Sequence, residues 1–143
     1  MLKDKIKQAA AAALKKGDKR RVEALKYLVA QLEKKEMSLP VGKMSEADES
    51  GVLRKELKNK EEARELFGRA QRQELVDQVD FEIEVLKEYL PKEMDESELV
   101  VMVEAAIEEK GHNFGAVMAE VMRKVAGRAS GEAVAKIVRE KLP

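Results

Sequence analysis

Apolar residues recur at three- and four-residue spacing along most of the chain, the spacing of one face of an α-helix. Leu2, Ile6, Ala10, Ala13 and Leu14 form the first stripe, and Gly17 ends it because glycine tolerates the left-handed cap conformation. Asp18 is placed to cap a second helix, which carries Val22, Leu25, Leu28, Val29 and Leu32. Leu39-Pro40-Val41-Gly42 breaks the pattern. Ser45-Glu46-Ala47-Asp48 resembles a capping box and opens a third, heavily charged helix. Its stripe of Val52, Leu53, Leu57, Ala63, Leu66 and Phe67 thins around Asn59 and Lys60, which predicts partial exposure. The fourth stripe is fuller: Leu75, Val76, Val79, Ile83, Leu86 and Leu90, widened by Phe81, Val85 and Tyr89. A face that wide predicts contact with more than one neighbour.

Pro91 stops the fourth helix, and Asp95-Glu96-Ser97-Glu98 reads as a second capping box that starts the fifth. The fifth helix carries Leu99, Val100, Val103 and Ile107 and closes at Gly111. Asn113 caps a sixth, with Val117, Met118, Val121, Met122 and Val125, which Gly127 closes. Ser130 caps the last, with Val134, Ile137, Val138 and Leu142. The expectation is an all-α protein: a four-helix N-terminal domain over 1–90, a hinge at 91–94 and a small three-helix domain over 95–143. The second domain is near the size at which a lone core becomes marginal.

Composition strengthens the helical reading. Of 143 residues, 39% are charged and 3% aromatic, a balance that favours helix over strand. The absence of cysteine excludes disulfides, thiolate nucleophiles and cysteine-based metal sites. Met1-Leu2-Lys3-Asp4-Lys5 lacks the apolar run of a secretory signal, and no stretch approaches the roughly 20 apolar residues of a membrane span. A cytoplasmic location without membrane contact is the expectation. Net charge is zero but unevenly spread: +6 over 1–37, −9 over 38–113 and +3 over 114–143. Basic ends around an acidic middle fit an oriented anionic partner, contact between the chain's own segments, or solvated faces that cluster.

Catalysis needs a nucleophile, a base or a metal held in a set geometry. His112, the only histidine, falls in an expected turn. Three of the five serines sit at expected helix starts, and none lies in a Gly-x-Ser-x-Gly elbow. Glu61-Glu62 and Glu108-Glu109 are adjacent carboxylates that diverge on a helix. There is no phosphate-binding loop and no dinucleotide fingerprint. No catalytic constellation is visible, and neither a cofactor nor a metal is expected.

One segment invites a binding reading. In Arg123-Lys124-Val125-Ala126-Gly127-Arg128-Ala129-Ser130-Gly131, three cations flank a turn into a helix start. Unpaired N–H groups and the positive dipole end favour an anion there, arginine clamps phosphate in bidentate fashion, and Gly131 leaves room for a close approach. Glu132 opposes this, and from the residues alone the plain helix–turn–helix connection is the favoured reading. A second basic cluster, Lys15-Lys16-Gly17-Asp18-Lys19-Arg20-Arg21, lies at the first inter-helix turn, while Met118 and Met122 read as core filling.

These segments also carry a family resemblance. Tyr89-Leu90-Pro91-Lys92-Glu93-Met94-Asp95-Glu96-Ser97-Glu98-Leu99 resembles the hinge motif of the YqeY-like proteins, over a match that spans essentially the whole chain. Phe114-Gly115-Ala116-Val117-Met118-Ala119-Glu120-Val121-Met122 with Gly127-Arg128-Ala129-Ser130-Gly131 resembles their C-terminal signature. About residues 95–143 are similar to the tail domain of the GatB subunit of the glutamyl-tRNA/aspartyl-tRNA amidotransferase. In that subunit the tail helps hold the tRNA body, and related modules are appended to some glutaminyl-tRNA synthetases. GatB tails commonly read Gly-Arg-Ala-Asp-Pro where this chain has Gly127-Arg128-Ala129-Ser130-Gly131; serine keeps the capping oxygen and drops a charge.

The resemblance implies a tRNA-binding or amidotransferase-associated accessory protein. Arg123, Lys124, Gly127, Arg128, Ser130 and Gly131 would face the tRNA backbone, and an amidotransferase or a synthetase would be the protein partner. Two rivals stand beside it: a protein–protein adaptor using the acidic middle, and a weak amidase or carbon–nitrogen ligase with glutamine as amido donor. The catalytic body of GatB and the serine–lysine machinery of the glutaminase subunit have no counterpart here.

Overall fold

A computed structural model describes every residue from Met1 to Pro143 and contains seven helices and no strand. They are α1 (Leu2–Lys16), α2 (Lys19–Met37), α3 (Glu46–Arg69), α4 (Gln73–Lys87), α5 (Glu96–Lys110), α6 (Phe114–Val125) and α7 (Gly131–Lys141). By their contacts they fall into two compact units, Met1–Leu90 and Pro91–Pro143. No helix is long and apolar enough to cross a membrane.

In the first unit the helix starts follow local chemistry. The Asp18 carboxylate accepts the Arg21 N–H at 3.2 Å, and Ser45 and Asp48 form a reciprocal capping box. Gly17, with φ 76°, is the left-handed cap of α1. Ile6, Leu25, Leu28, Leu32, Leu53, Val85 and Leu86 make the fully buried centre. As its wide stripe predicts, α4 packs on both α2 and α3.

Three expectations need correction. Leu14 and Leu66 are 65% and 62% exposed. Each is one residue, or about 100° of rotation, from an inward position, taken by Ala13 in α1 and Phe67 in α3. The fourth helix ends at Lys87, short of Leu90, because Pro91 has no N–H to give the Lys87 carbonyl and its ring crowds that carbonyl, while the last turn tightens through Glu88 and Tyr89.

The N-terminus of α1 has no cap of its own. Glu49 supplies one from α3: its carboxylate, 1% exposed, accepts the Lys3 N–H at 3.0 Å and the Leu2 N–H at 3.4 Å. Glu56, 8% exposed, accepts the Tyr27 hydroxyl at 3.1 Å. Both carboxylates lie on the stripe of Leu53, four residues before it and three after. That spacing was the signal that they point inward.

In the second unit α5, α6 and α7 each contact the other two around Leu99, Val103, Ala106, Val117, Val121, Val125, Val134 and Val138. Met118 and Met122 fill the edge of this core. Asn113 and Ser130 cap α6 and α7 through bonds from Ala116 N–H (2.9 Å) and Ala133 N–H (3.1 Å). The second capping box does not form. Asp95 makes no side-chain cap bond, and the Glu98 carboxylate instead lies 3.6 Å from the Arg128 guanidinium. The left-handed cap of α6 is Ala126 (φ 47°, ψ 46°) rather than Gly127, which follows with φ 82°.

Candidate nucleic-acid interface

The turn between α6 and α7 presents the segment singled out from sequence. Arg123 and Lys124, in the last turn of α6, reach back to one carboxylate oxygen of Glu120 at 2.8 and 3.2 Å. Hydrogen bonds from Arg123 and then Lys124 hold the Glu120 carboxyl below the usual glutamate range. The consecutive left-handed residues Ala126 and Gly127 turn the chain, and Arg128 follows. Its Nε–H donates to the Lys92 carbonyl at 3.0 Å, and its own carbonyl accepts the Met94 N–H at 2.9 Å. Arg128 thus fastens the segment before α5 to the turn after α6.

Ser130 caps α7, and Gly131 is the first residue of that helix. A Cβ added at Gly131 would meet nothing within 4 Å, so the packing does not require glycine there. Arg123, Lys124 and Ser130 are exposed; Gly127 and Arg128 are half-buried. The structure therefore gathers all six candidate residues at one turn, but with acids among them. Glu120 answers two cations, Glu98 faces the third, and Glu132 sits in the first turn of α7. The Glu120 side chain is only 10% exposed, whereas Arg128 and Glu98 are 42% and 50% exposed, and exposed pairs of that second kind contribute about 0–1 kcal/mol.

Other candidates separate from this turn. In the first basic cluster Arg21 is bidentate to Glu88 (2.7 and 3.3 Å) and Arg20 lies over the Phe81 ring, while Lys15, Lys16 and Lys19 face solvent. His112 is exposed in the turn before α6. Ser97 is exposed inside the first turn of α5 and is not its cap. Nowhere do three or more metal-ligating side chains converge.

The molecule is thus an all-helical protein in which one cation-bearing turn leads into a capped helix start. The chain belongs to the YqeY-like protein family, whose model matches residues 3–142. No curated protein matches the chain.

Proposed function

We propose that this chain is an accessory protein that binds the tRNA backbone through its C-terminal helical domain, in the service of a tRNA-dependent amidotransferase or synthetase. The observation that carries this reading is the convergence of Arg123, Lys124 and Arg128 on one turn before the Ser130-capped start of α7. The resemblance of residues 95–143 to the GatB tail supports the choice of tRNA. In mechanism, Arg123 and Lys124 contact backbone phosphates while keeping Glu120 between them, and the start of α7 receives a further phosphate oxygen. Because carboxylates compete at every cation, the contact is small and its salt dependence modest. Two to three phosphates correspond to a log–log slope of about 2.

The test is binding of purified full-length protein to total tRNA across a salt series, beside Arg123→Gln/Lys124→Gln. Arg128 is left intact because it also holds Lys92 and Glu98, so its loss would mix folding with binding. Submillimolar binding that weakens with salt, and falls at least about fivefold in the variant at unchanged melting temperature, supports the reading. No binding, or equal binding by both proteins, removes this turn from RNA recognition.

A further inference from the structure

The first unit holds a separate feature that shares no residue with the α6–α7 turn. Between α2 and α4 runs an open cleft of about 700 Å³, bordered by Arg20, Glu23, Tyr27, Asp77, Phe81 and Glu82. Two of the chain's five aromatic residues meet there, and a cation of the protein already lies over each ring. The Arg20 guanidinium is 4.4 Å from the centroid of Phe81, and the Lys60 ammonium 4.6 Å from that of Tyr27.

The two cations are held differently. Lys60 also pairs with Glu82 at 3.0 Å and is only 13% exposed, so it is held behind the cleft lining. Arg20 is exposed and lies over the Phe81 ring. The carboxylates divide in the same way. Glu82 answers Lys60 and Glu74 answers Arg72 at 2.7 Å, whereas Asp77 accepts from the neutral Gln73 amide at 2.8 Å and Glu23 has no ion-pair partner. The cleft thus combines an aromatic face that accepts a guanidinium, two carboxylates without a cationic partner beside it, and a loosely held guanidinium in place.

We infer that this cleft recognises an arginine side chain of a basic peptide segment, with Phe81 stacking the guanidinium, Glu23 and Asp77 neutralising it, and Arg20 acting as an internal place-holder. Arginine suits the site because its planar, weakly hydrated head stacks on an aromatic ring while its N–H groups reach carboxylates at the edge. The charge left at Glu23 and Asp77 supplies complementarity to a basic partner. A cleft of about 700 Å³ is far larger than one guanidinium, which leaves room for the residues that flank it in a peptide segment.

The experiment is fluorescence anisotropy of a dye-labelled arginine–glycine octapeptide with the full-length chain at low salt, beside the same peptide carrying citrulline. Citrulline preserves shape and removes charge. The arginine peptide is expected to bind at least about tenfold more tightly than the citrulline peptide. Phe81→Leu keeps the apolar packing, removes the ring face and should weaken binding about fivefold. Arg20→Ala empties the place and should strengthen binding about threefold, whereas an equal gain from Lys19→Ala, which removes the same charge away from the ring, would show general attraction to acidic surface and overturn the assignment. Arg123→Gln/Lys124→Gln should bind the peptide normally, so this result stands apart from the tRNA test. Equal binding of the citrulline peptide overturns the assignment, as does no gain from Arg20→Ala or equally effective competition by spermidine.

Discussion

Glu49→Ala removes the only side-chain cap of α1 without touching that helix. Two backbone donors, the N–H groups of Leu2 and Lys3, lose a charged acceptor, and a buried side chain is emptied beside Leu53. An N-cap oxygen contributes about 0.5–2 kcal/mol, and a negative charge at a helix start about 0.3–1 kcal/mol more. With the vacated volume included, the expected loss is about 2–3 kcal/mol. Glu49→Gln keeps one acceptor oxygen and most of the volume, so its loss should be about 1 kcal/mol. Urea unfolding followed by far-UV circular dichroism measures both. Because the bonds join residues 46 and 47 positions apart, the loss should weaken the attachment of α1 to α3 rather than helix propensity. The reasoning is refuted if Glu49→Ala lies within about 0.5 kcal/mol of the parent, or if the two variants are equal.

Two further outcomes follow from backbone and cap geometry. Ala126 occupies left-handed backbone, which carries a penalty of about 1 kcal/mol or more for a residue with a Cβ; Ala126→Gly should raise stability by about 0.5–1 kcal/mol in the same unfolding experiment. Bonds from the Ser45 backbone and hydroxyl hold the Asp48 carboxyl below the usual aspartate value, so its stabilising contribution is complete above about pH 4 and lost as pH falls through the lower folded value. Asp48→Asn should therefore be less stable than the parent at neutral pH by about 0.5–1 kcal/mol, with the gap closing towards pH 2 in acid unfolding.

What the sequence made readable was what depends on near neighbours. Asp18, Ser45, Asn113 and Ser130 cap helices because a short side chain meets an N–H three residues on, and the chain order alone contains that relation. The pairing of Glu120 with Arg123 and Lys124 is equally local, at three and four residues, so the spacing of these charges contains it. Glu49 and Arg128 were hidden for the opposite reason. Their partners stand 46 and 36 residues away, and only packing brings them together. The failed Asp95 capping box shows the two scales in competition: its local pattern was sound, yet Glu98 faces a guanidinium from the far side of α6.

The fastening made by Arg128 gives the second unit a built-in antagonism. One guanidinium is both the bolt that holds the Lys92 carbonyl and a cation available to an incoming anion. An anion that recruits the Nε–H of Arg128 must release Lys92, which leaves the Met94 N–H bond to the Arg128 carbonyl holding the segment to this residue. By thermodynamic reciprocity, anything that tightens the segment before α5 lowers the affinity of the turn for anions by the same factor. On the proposed function, an anion that takes the Nε–H of Arg128 would set how firmly the start of this unit is latched.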